Sequence, residues 1–319
     1  MHLRDNPDAT MTADYREIKS ESAADFVNDI QQVLLEDRLP EINSRFVFRG
    51  QGNAAWGLVP SAFRCGTVLG YENREYSRVA GESPRHTWDQ GNAEFVALVE
   101  FLRLADEVGL DVPADHHWVR QWNPFNNVVG HSIGIADWPP SVLYEAIAIA
   151  QHHGVPTRLL DFSYNPLIAA YFAAEDPPVT AEEIAVWCVD LQLIFLAAKD
   201  LHCPLEIVSV SRVRNRNLAA QRALFLLDRN VIDGRYAFES TIARYIRSGA
   251  GIGRVPEGSS GVRKFCLPKS ECGSLLDLLG KLGVDRAHLM PSFDGVVEEL
   301  VSRRRRRMTG NIPIIGSSD

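Results

Sequence analysis

The chain has 319 residues, of which 45% are hydrophobic and 23% are charged, and its formal net charge is −8. These values suit one large or two small domains with a sizeable core, and they exclude wholesale disorder. The negative charge argues against non-specific coating of nucleic acid, although a local basic patch stays open. The sequence contains no run of about 18 apolar residues, so no membrane span is predicted. The first residues are polar, so no secretory signal is predicted. Five dispersed cysteines without a Cys-x-x-Cys pair indicate reduced thiols in the cytoplasm.

The first predicted elements are a helix and a strand. Residues 1–20 are expected to form a flexible arm, and Ser22 is expected to cap a helix over about 23–37. The alternating segment Arg45–Arg49 predicts a short strand. Gly, Ser, Pro and charged residues over 66–91 indicate an irregular insertion.

Three helices are predicted in the middle of the chain, over 94–108, 142–153 and from Asn165 to about Ala174. Asn165 and Pro166 form an N-cap and first-turn pair. Residues 111–140 are rich in Trp, Pro, Asn and His, and we expect them to form an insertion or a cap over a site.

The second half mixes strands with helices, which together with the helices before it predicts an α+β fold. The predicted strands cover about 184–189, 205–210, 223–227 and 262–267, and the predicted helices about 271–282 and 294–306. We expect a single domain over 21–302 with a mixed sheet, N-terminal helices and a C-terminal helical segment. Residues 303–319 are expected to form a basic tail.

Two segments are dense in polar residues that could form a site. In Phe48-Arg49-Gly50-Gln51, the guanidinium offers a planar fork for phosphate and the glycine lets a ligand approach the backbone. An ordinary strand end with a solvated arginine is the alternative. In the segment 151–165, Arg158 and Asp161 lie three residues apart between apolar neighbours, so we expect a buried ion pair, which could be purely architectural.

Other charged and ligating residues give weaker signals. The run Arg303–Arg307 could bind nucleic acid or anionic lipid, or it could be the solvated end of a helix, where cations suit the dipole. The histidines at 116, 117 and 131 lack a metal-binding spacing, so no metal site is expected.

Four blocks of the sequence resemble the bacterial FRG-domain family, over about residues 25–302. The blocks are Arg49-Gly50-Gln51 with Trp56 to Arg64, Gln151 to Asp161 with Asn165 to Ala173, Asn217 to Phe225, and Leu289 to Gly295. In the third block Ala223 and Leu224 stand where the family has a glycine, and in the fourth Ser292 replaces an acidic residue.

A more distant resemblance is to the ADP-ribosyltransferases, and it implies a mixed sheet like the core of those enzymes. Arg49-Gly50 resembles the Arg-Gly of an early strand in those enzymes. Thr157 or Ser163, ahead of Ala169-x-x-Phe172, resembles their second motif. Gln221-Arg222-Ala223 stands where they have a late acidic motif. The resemblance implies catalytic roles for Arg49, Thr157 and Gln221. The residues expected to bind the substrate are Gly50, Gln51, His153, Arg158, Asp161, Ser163 and Asn165.

This resemblance implies NAD as a substrate, with no tightly bound cofactor. An ADP-ribosyltransferase or NAD glycohydrolase acting as a toxin or phage-defence effector, on a protein or nucleic-acid target, is the first hypothesis. The alternative is a non-catalytic sensor that recognises a nucleotide, a nucleic acid or a protein. Ala223 lacks the carboxylate that ribosyl transfer needs, so Asp161, Glu206 or Glu239 would have to supply it. A cytoplasmic location without membrane attachment is expected.

Overall fold

The computed structural model describes residues 10–11, 14–36, 45–64, 86–112, 138–197, 203–211, 220–229, 238–248 and 261–309. Within these stretches no helix has the length and the apolar character needed to cross a bilayer.

A mixed eight-stranded sheet forms the centre of the fold. Its strands are β1 Thr10–Met11, β2 Arg16–Lys19, β3 Phe46–Gln51, β4 Leu160–Ser163, β5 Glu183–Asp190, β6 Leu205–Val208, β7 Ala223–Asp228 and β8 Val262–Pro268. Their spatial order is β1-β2-β8-β5-β3-β4-β7-β6. Strands β2 and β8 run parallel, and the other neighbouring pairs are antiparallel.

Helices cover both faces of this sheet, and because its neighbouring strands are mostly antiparallel, the fold is α+β, as predicted. They are α1 Ala23–Leu35, α2 His86–Glu107, α3 Tyr144–His152, α4 Pro166–Ala174, α5 Leu191–Ala197, α6 Phe238–Ser248, α7 Cys272–Lys281, α8 Arg286–Leu289 and α9 Phe293–Thr309.

Three predicted helix boundaries are confirmed by their capping contacts. The Ser22 hydroxyl accepts a hydrogen bond from the Asp25 amide at 3.2 Å, which caps α1. Asn165 Oδ1 accepts from the Leu167 amide at 2.9 Å, and Pro166 occupies the first turn of α4. Gly154 follows α3 and has φ +91°, a left-handed conformation that glycine adopts without strain and that ends the helix.

The helical layers divide the sheet into two halves. On one face, α1, α4 and α7 pack on β3, β5 and β8 around Phe26, Phe48 and Phe265. On the same face, α2 and α3 pack against Phe225 and Leu227 of β7. The opposite face is covered by α5 and α6. The two helix groups on the first face leave a gap between α3 and α4.

Three predicted boundaries are corrected. Residues 16–19 belong to the sheet, where Arg16 pairs with Arg263 of β8, so a flexible arm cannot extend to residue 20. The irregular segment predicted over 66–91 is wrong for residues 86–91, which form the first turns of α2; residues 66–85 lie outside the described part. Helix α9 continues through the predicted tail to Thr309.

Strand β4 was not predicted, because four residues, Leu160-Asp161-Phe162-Ser163, are too short to show a clear period of two. The insertion predicted over 111–140 lies outside the described residues except at its ends. At its C-terminal end Trp138 is buried and donates through Nε1 to Glu94 at 3.0 Å.

Gly50 brings β3 into direct contact with α4. A Cβ atom on Gly50 would overlap the carbonyl oxygen of Ala169 and lie 2.7 Å from the amide nitrogen of Ala173. Ligand approach to the backbone at Gly50 stays a prediction, and in the structure helix packing also requires that this residue has no side chain. A larger residue must push α4 away from the sheet.

We therefore expect Gly50→Ala to lower the free energy of unfolding by about 3 kcal/mol, because the clash is with backbone atoms that cannot rotate away. Urea unfolding followed by circular dichroism would measure this. Gly280→Ala is the matched control: the space around Gly280 in α7 is open, so alanine should stabilise the helix by up to about 1 kcal/mol. Equal effects of the two substitutions would contradict the packing role of Gly50.

Candidate functional site

A cavity of about 360 Å³ lies in the gap between α3 and α4, above β3, β4 and β7. Its volume is in the range of ligand pockets in proteins. Its polar lining consists of Arg49, Ser61, Arg64, Gln151, His152, Asp161, Ser163 and Gln221. Its apolar lining includes Ile168 and Phe172 of α4, Phe225 of β7 and Met290.

The cavity forms where the sheet splits. Strands β3 and β4 share a single residue pair, Phe48 with Ser163. If the pairing continued, the backbone of Gly50 would lie opposite Asp161. Instead, the Arg49 side chain makes the hydrogen bonds to Asp161. Its Nη1 donates to the Asp161 carbonyl oxygen at 2.8 Å and also to Asp161 Oδ1. A charged side chain thus replaces main-chain hydrogen bonds at the split.

Arg49 is mostly buried and Asp161 is not. The Arg49 side chain is 12% exposed, whereas that of Asp161 is 57% exposed. Removal from water would raise the pKa of Asp161, but the guanidinium of Arg49 outweighs this effect and the net result lowers that pKa below its usual value. Asp161 is therefore a carboxylate at neutral pH, and it faces the cavity.

A second hydrogen-bond chain reaches the same carboxylate from α3. Thr157 Oγ1 donates to Gln151 Oε1 at 2.5 Å, which leaves the Gln151 amide nitrogen to donate to Asp161 Oδ1 at 3.2 Å. Ser61 holds Thr157 in place through contacts with both its amide and its carbonyl group. Thr157 is itself buried, and it orients Gln151 rather than lining the cavity.

The opposite wall is built on a strained turn. Arg222 has φ +48°, a left-handed conformation that costs a residue with a side chain about 1 kcal/mol. This turn lets the carbonyl group of Gln221 accept from Ser163 Oγ at 2.7 Å and that of Arg222 accept from the Tyr164 amide at 3.2 Å. Gln221 Nε2 lies 3.7 Å from Met290 Sδ, at the edge of the cavity.

The charges of the lining leave the cavity with a positive excess. Arg64 is exposed at its edge, with Nε donating to the Val59 carbonyl oxygen at 3.0 Å. The neighbouring protein atoms remove part of the water around the Arg64 guanidinium, and this together with the proximity of Arg49 lowers the pKa of Arg64, but a guanidinium remains protonated. Burial and the neighbouring His153 lower the pKa of His152, so this ring is neutral at pH 7. Two guanidinium groups therefore face one carboxylate.

Five of the ten predicted site residues line the cavity: Arg49, Gly50, Asp161, Ser163 and Gln221. Thr157 lies behind Gln151. The other four make contacts outside the cavity. Gln51 forms hydrogen bonds with Trp187 and Gly57, and Asn165 caps α4. The exposed ring of His153 stacks on Phe101, and Arg158 forms an ion pair with Glu94. The roles assigned to these ten residues stay predictions.

The predicted ion pair between Arg158 and Asp161 is wrong. Arg158 forms two hydrogen bonds with Glu94 of α2, at 2.8 and 2.9 Å, and both side chains are buried. The chain enters a strand at this point, and residues three apart in an extended segment point to opposite sides of it. The two residues therefore contact different partners.

Sequence reasoning did not select Arg64, Gln151, His152 or Ser61 as site residues. All four residues belong to the blocks that resemble the FRG family, and this membership was the available signal. Of the carboxylates considered as substitutes for the acid missing at Ala223, Asp161 lines the cavity. Glu206 bonds Arg229 and Tyr144 instead, and Glu239 accepts from the Leu58 amide. Among the described residues no cluster of His, Cys, Asp and Glu could hold a metal ion.

Comparison with known proteins gives one match. A family model for the FRG domain matches residues 115–182, about a fifth of the chain, and this segment contains α3, β4 and α4. The match supports the FRG family. Neither the curated proteins nor the solved structures contain a match to this chain. The resemblance to ADP-ribosyltransferases therefore has no support from these comparisons.

The lowered pKa of Asp161 predicts a pH-dependent stability. Because the folded protein favours the ionised form, Asp161 stabilises it above the ordinary aspartate pKa of about 4 and loses this effect as the pH falls further. The free energy of unfolding of the wild type minus that of Asp161→Asn should shrink between pH 6 and pH 3. Urea unfolding at a series of pH values measures it.

Asp176→Asn, which removes an exposed carboxylate outside the cavity, serves as the control for the loss of one negative charge. A difference between wild type and Asp161→Asn that stays constant over the whole range would contradict the ion pair.

Proposed function

We propose that this FRG-type chain binds a small, anionic, nucleotide-like ligand in the cavity between α3 and α4. The observation that carries this proposal is the charge of the lining, where Arg49 and Arg64 face the single carboxylate of Asp161. Arginine presents a planar fork that matches phosphate oxygens. Arg49 already donates to Asp161, so Arg64, which is exposed at the edge, is the residue that receives the phosphate.

The rest of the lining fits the uncharged part of such a ligand. Ile168, Phe172 and Phe225 form an apolar surface on which a planar base can pack. The amides of Gln151 and Gln221 supply donors and acceptors for hydroxyl or base groups. A volume of about 360 Å³ accommodates roughly one nucleotide, so a dinucleotide would extend beyond the cavity past Arg64.

One observation favours catalysis as well as binding. The side chains of Arg49 and Gln151 both donate to Oδ1 of Asp161, and the Asp161 side chain is 57% exposed, so a ligand in the cavity can reach this carboxylate. A carboxylate beside a ribose would stabilise the positive charge that develops when its N-glycosidic bond breaks. The enzymatic form of the proposal is therefore an NAD glycohydrolase or an ADP-ribosyltransferase, and a toxin or phage-defence effector is the role that such an activity would serve.

A second candidate function is a non-catalytic sensor of the same ligand class, coupled to a protein or nucleic-acid partner. The observation that favours it is the ion pair itself. Arg49 neutralises much of the charge that Asp161 could offer a transition state. A site that binds its ligand without reacting with it does not need a carboxylate whose charge is left unneutralised. Nicotinamide release separates the two candidates.

For binding, we expect ADP-ribose to bind the wild type, and Arg64→Gln to weaken that binding about tenfold, which corresponds to the loss of one charge-assisted contact. Isothermal titration calorimetry at two salt concentrations measures both effects. Arg103→Gln changes an exposed arginine of α2 outside the cavity and should leave the affinity unchanged. The proposal is wrong if neither ADP-ribose nor AMP binds at millimolar concentration.

For turnover, we expect the wild type to release nicotinamide from NAD, and Asp161→Asn to reduce the rate about 100-fold or more while binding of ADP-ribose persists. Chromatographic detection of free nicotinamide measures the rate. If the wild type binds ADP-ribose yet releases no nicotinamide, with or without added protein or nucleic-acid acceptors, the sensor function replaces the enzymatic one.

A further inference from the structure

The cavity between α3 and α4 has two chemically different ends along β4. Asp161 and Ser163 are two residues apart in this strand, so their side chains lie on one face, roughly 7 Å apart. In β7, Phe225 pairs with Asp161 and Ala223 pairs with Ser163. Because a methyl group is much smaller than a phenyl ring, the Ser163 end leaves more room for a ligand. Gln221 lies at this end, since its main-chain carbonyl group accepts from Ser163 Oγ at 2.7 Å.

At the Asp161 end, hydrogen bonds fix the orientation of the Gln151 amide. A carboxylate can only accept hydrogen bonds, so the amide nitrogen is the atom that faces Asp161, at 3.2 Å. The amide oxygen faces Thr157, whose hydroxyl donates to it at 2.5 Å. The nitrogen carries a second hydrogen, so Gln151 can donate to a ligand while its oxygen is engaged by Thr157.

At the Ser163 end, the Gln221 amide has the reverse orientation. Its Nε2 lies 3.7 Å from Met290 Sδ, and a thioether sulfur has no hydrogen and can only accept. The nitrogen is therefore the atom that faces the sulfur, and the oxygen is the atom that Gln221 offers to a ligand. Gln221 lines the cavity and is only partly buried, so a ligand can reach it. The turn that holds it is strained at Arg222, with φ +48°, and such strain is concentrated at binding and active sites.

We propose that Gln221 makes the cavity prefer a nucleotide whose base carries an amino group, which donates to Gln221 Oε1. This inference rests on the proposed function, because it names the base of the nucleotide in that cavity. The phosphate and ribose, which are rich in acceptor oxygens, lie toward the donors of Arg64 and Gln151, and the base lies at the Ser163 end beside Phe172. A base with an oxygen in place of the amino group brings two acceptors together and binds less tightly.

Two bases of the ligand class carry such a group. Adenine has an exocyclic amino group, and nicotinamide has the amino group of its carboxamide. With nicotinamide in the cavity, the attached ribose lies toward Asp161, as the enzymatic form of the proposed function requires, whereas adenine suits the sensor. Each has an analogue in which an oxygen replaces the amino group: IMP corresponds to AMP, and nicotinic acid mononucleotide corresponds to nicotinamide mononucleotide.

The test is calorimetric titration of the full chain with these four mononucleotides. In at least one pair, the amino compound should bind the wild type about tenfold more tightly than its oxygen analogue, which corresponds to one hydrogen bond. Gln221→Leu should lower this ratio about tenfold. The oxygen analogue should bind Gln221→Leu as it binds the wild type, which also shows that the variant is folded. Gln192→Leu, at an exposed position of α5 on the opposite face of the sheet, is the matched control and should keep the ratio.

Two further variants test the orientation of the amide. Gln221→Glu presents only acceptors, so the preference for the amino compound should persist even if both ligands bind less tightly. Met290→Leu removes the sulfur that holds the amide nitrogen, so the amide can turn and donate to the oxygen analogue, and the ratio should fall.

The outcomes separate this inference from the function on which it rests. Equal affinities within both pairs, or a preference that survives Gln221→Leu, would overturn the role of Gln221 and leave nucleotide binding intact. If none of the four compounds binds at millimolar concentration, the proposed function is wrong and the inference is wrong with it. If Gln221→Leu removes the preference, the pair that shows it identifies the base.

Discussion

The ion pair between Arg49 and Asp161 connects the two halves of the sheet. Strands β3 and β4 share one residue pair, and beyond it the Arg49 guanidinium supplies the contacts that backbone amides would otherwise make. The gap that remains becomes the cavity. In the described part of the chain, Nε of this arginine is buried without a hydrogen-bond partner, a cost that packing around the split has to offset. An exposed carboxylate adds little stability through such a pair, so its main consequence is the position of Asp161.

Arginine serves three purposes in this fold, and burial distinguishes them. Arg158 lies in the core with Glu94, where loss of either partner would leave an uncompensated charge. Arg303 and Arg306 attach α9 through its polar side. Arg64 stays at the edge of the cavity with its charge available. The same residue type therefore fixes helices in two places and offers a binding group in a third.

Much of the fold could be predicted, because the relevant signals are local. Helix caps at Ser22 and Asn165 and the β-branched runs around Val186 and Phe265 depend on neighbouring residues, and the structure confirms them. The site was harder, because its contacts join distant parts of the chain. Arg158 meets Glu94, 64 residues earlier, and Arg49 meets Asp161, 112 residues later. Spacing within one segment suggested a pair between Arg158 and Asp161, although an extended chain directs them apart.

The contact between Gly50 and α4 has a consequence for how the cavity can change over evolution. On that wall, backbone atoms of Ala169 and Ala173 lie directly against the strand, so almost any substitution at residue 50 disturbs the fold. The other wall is lined by side chains of α3, such as Gln151 and His152. These can be exchanged without moving the backbone. Divergence in ligand preference among relatives should therefore accumulate on the α3 side, while the α4 side is inherited nearly unchanged.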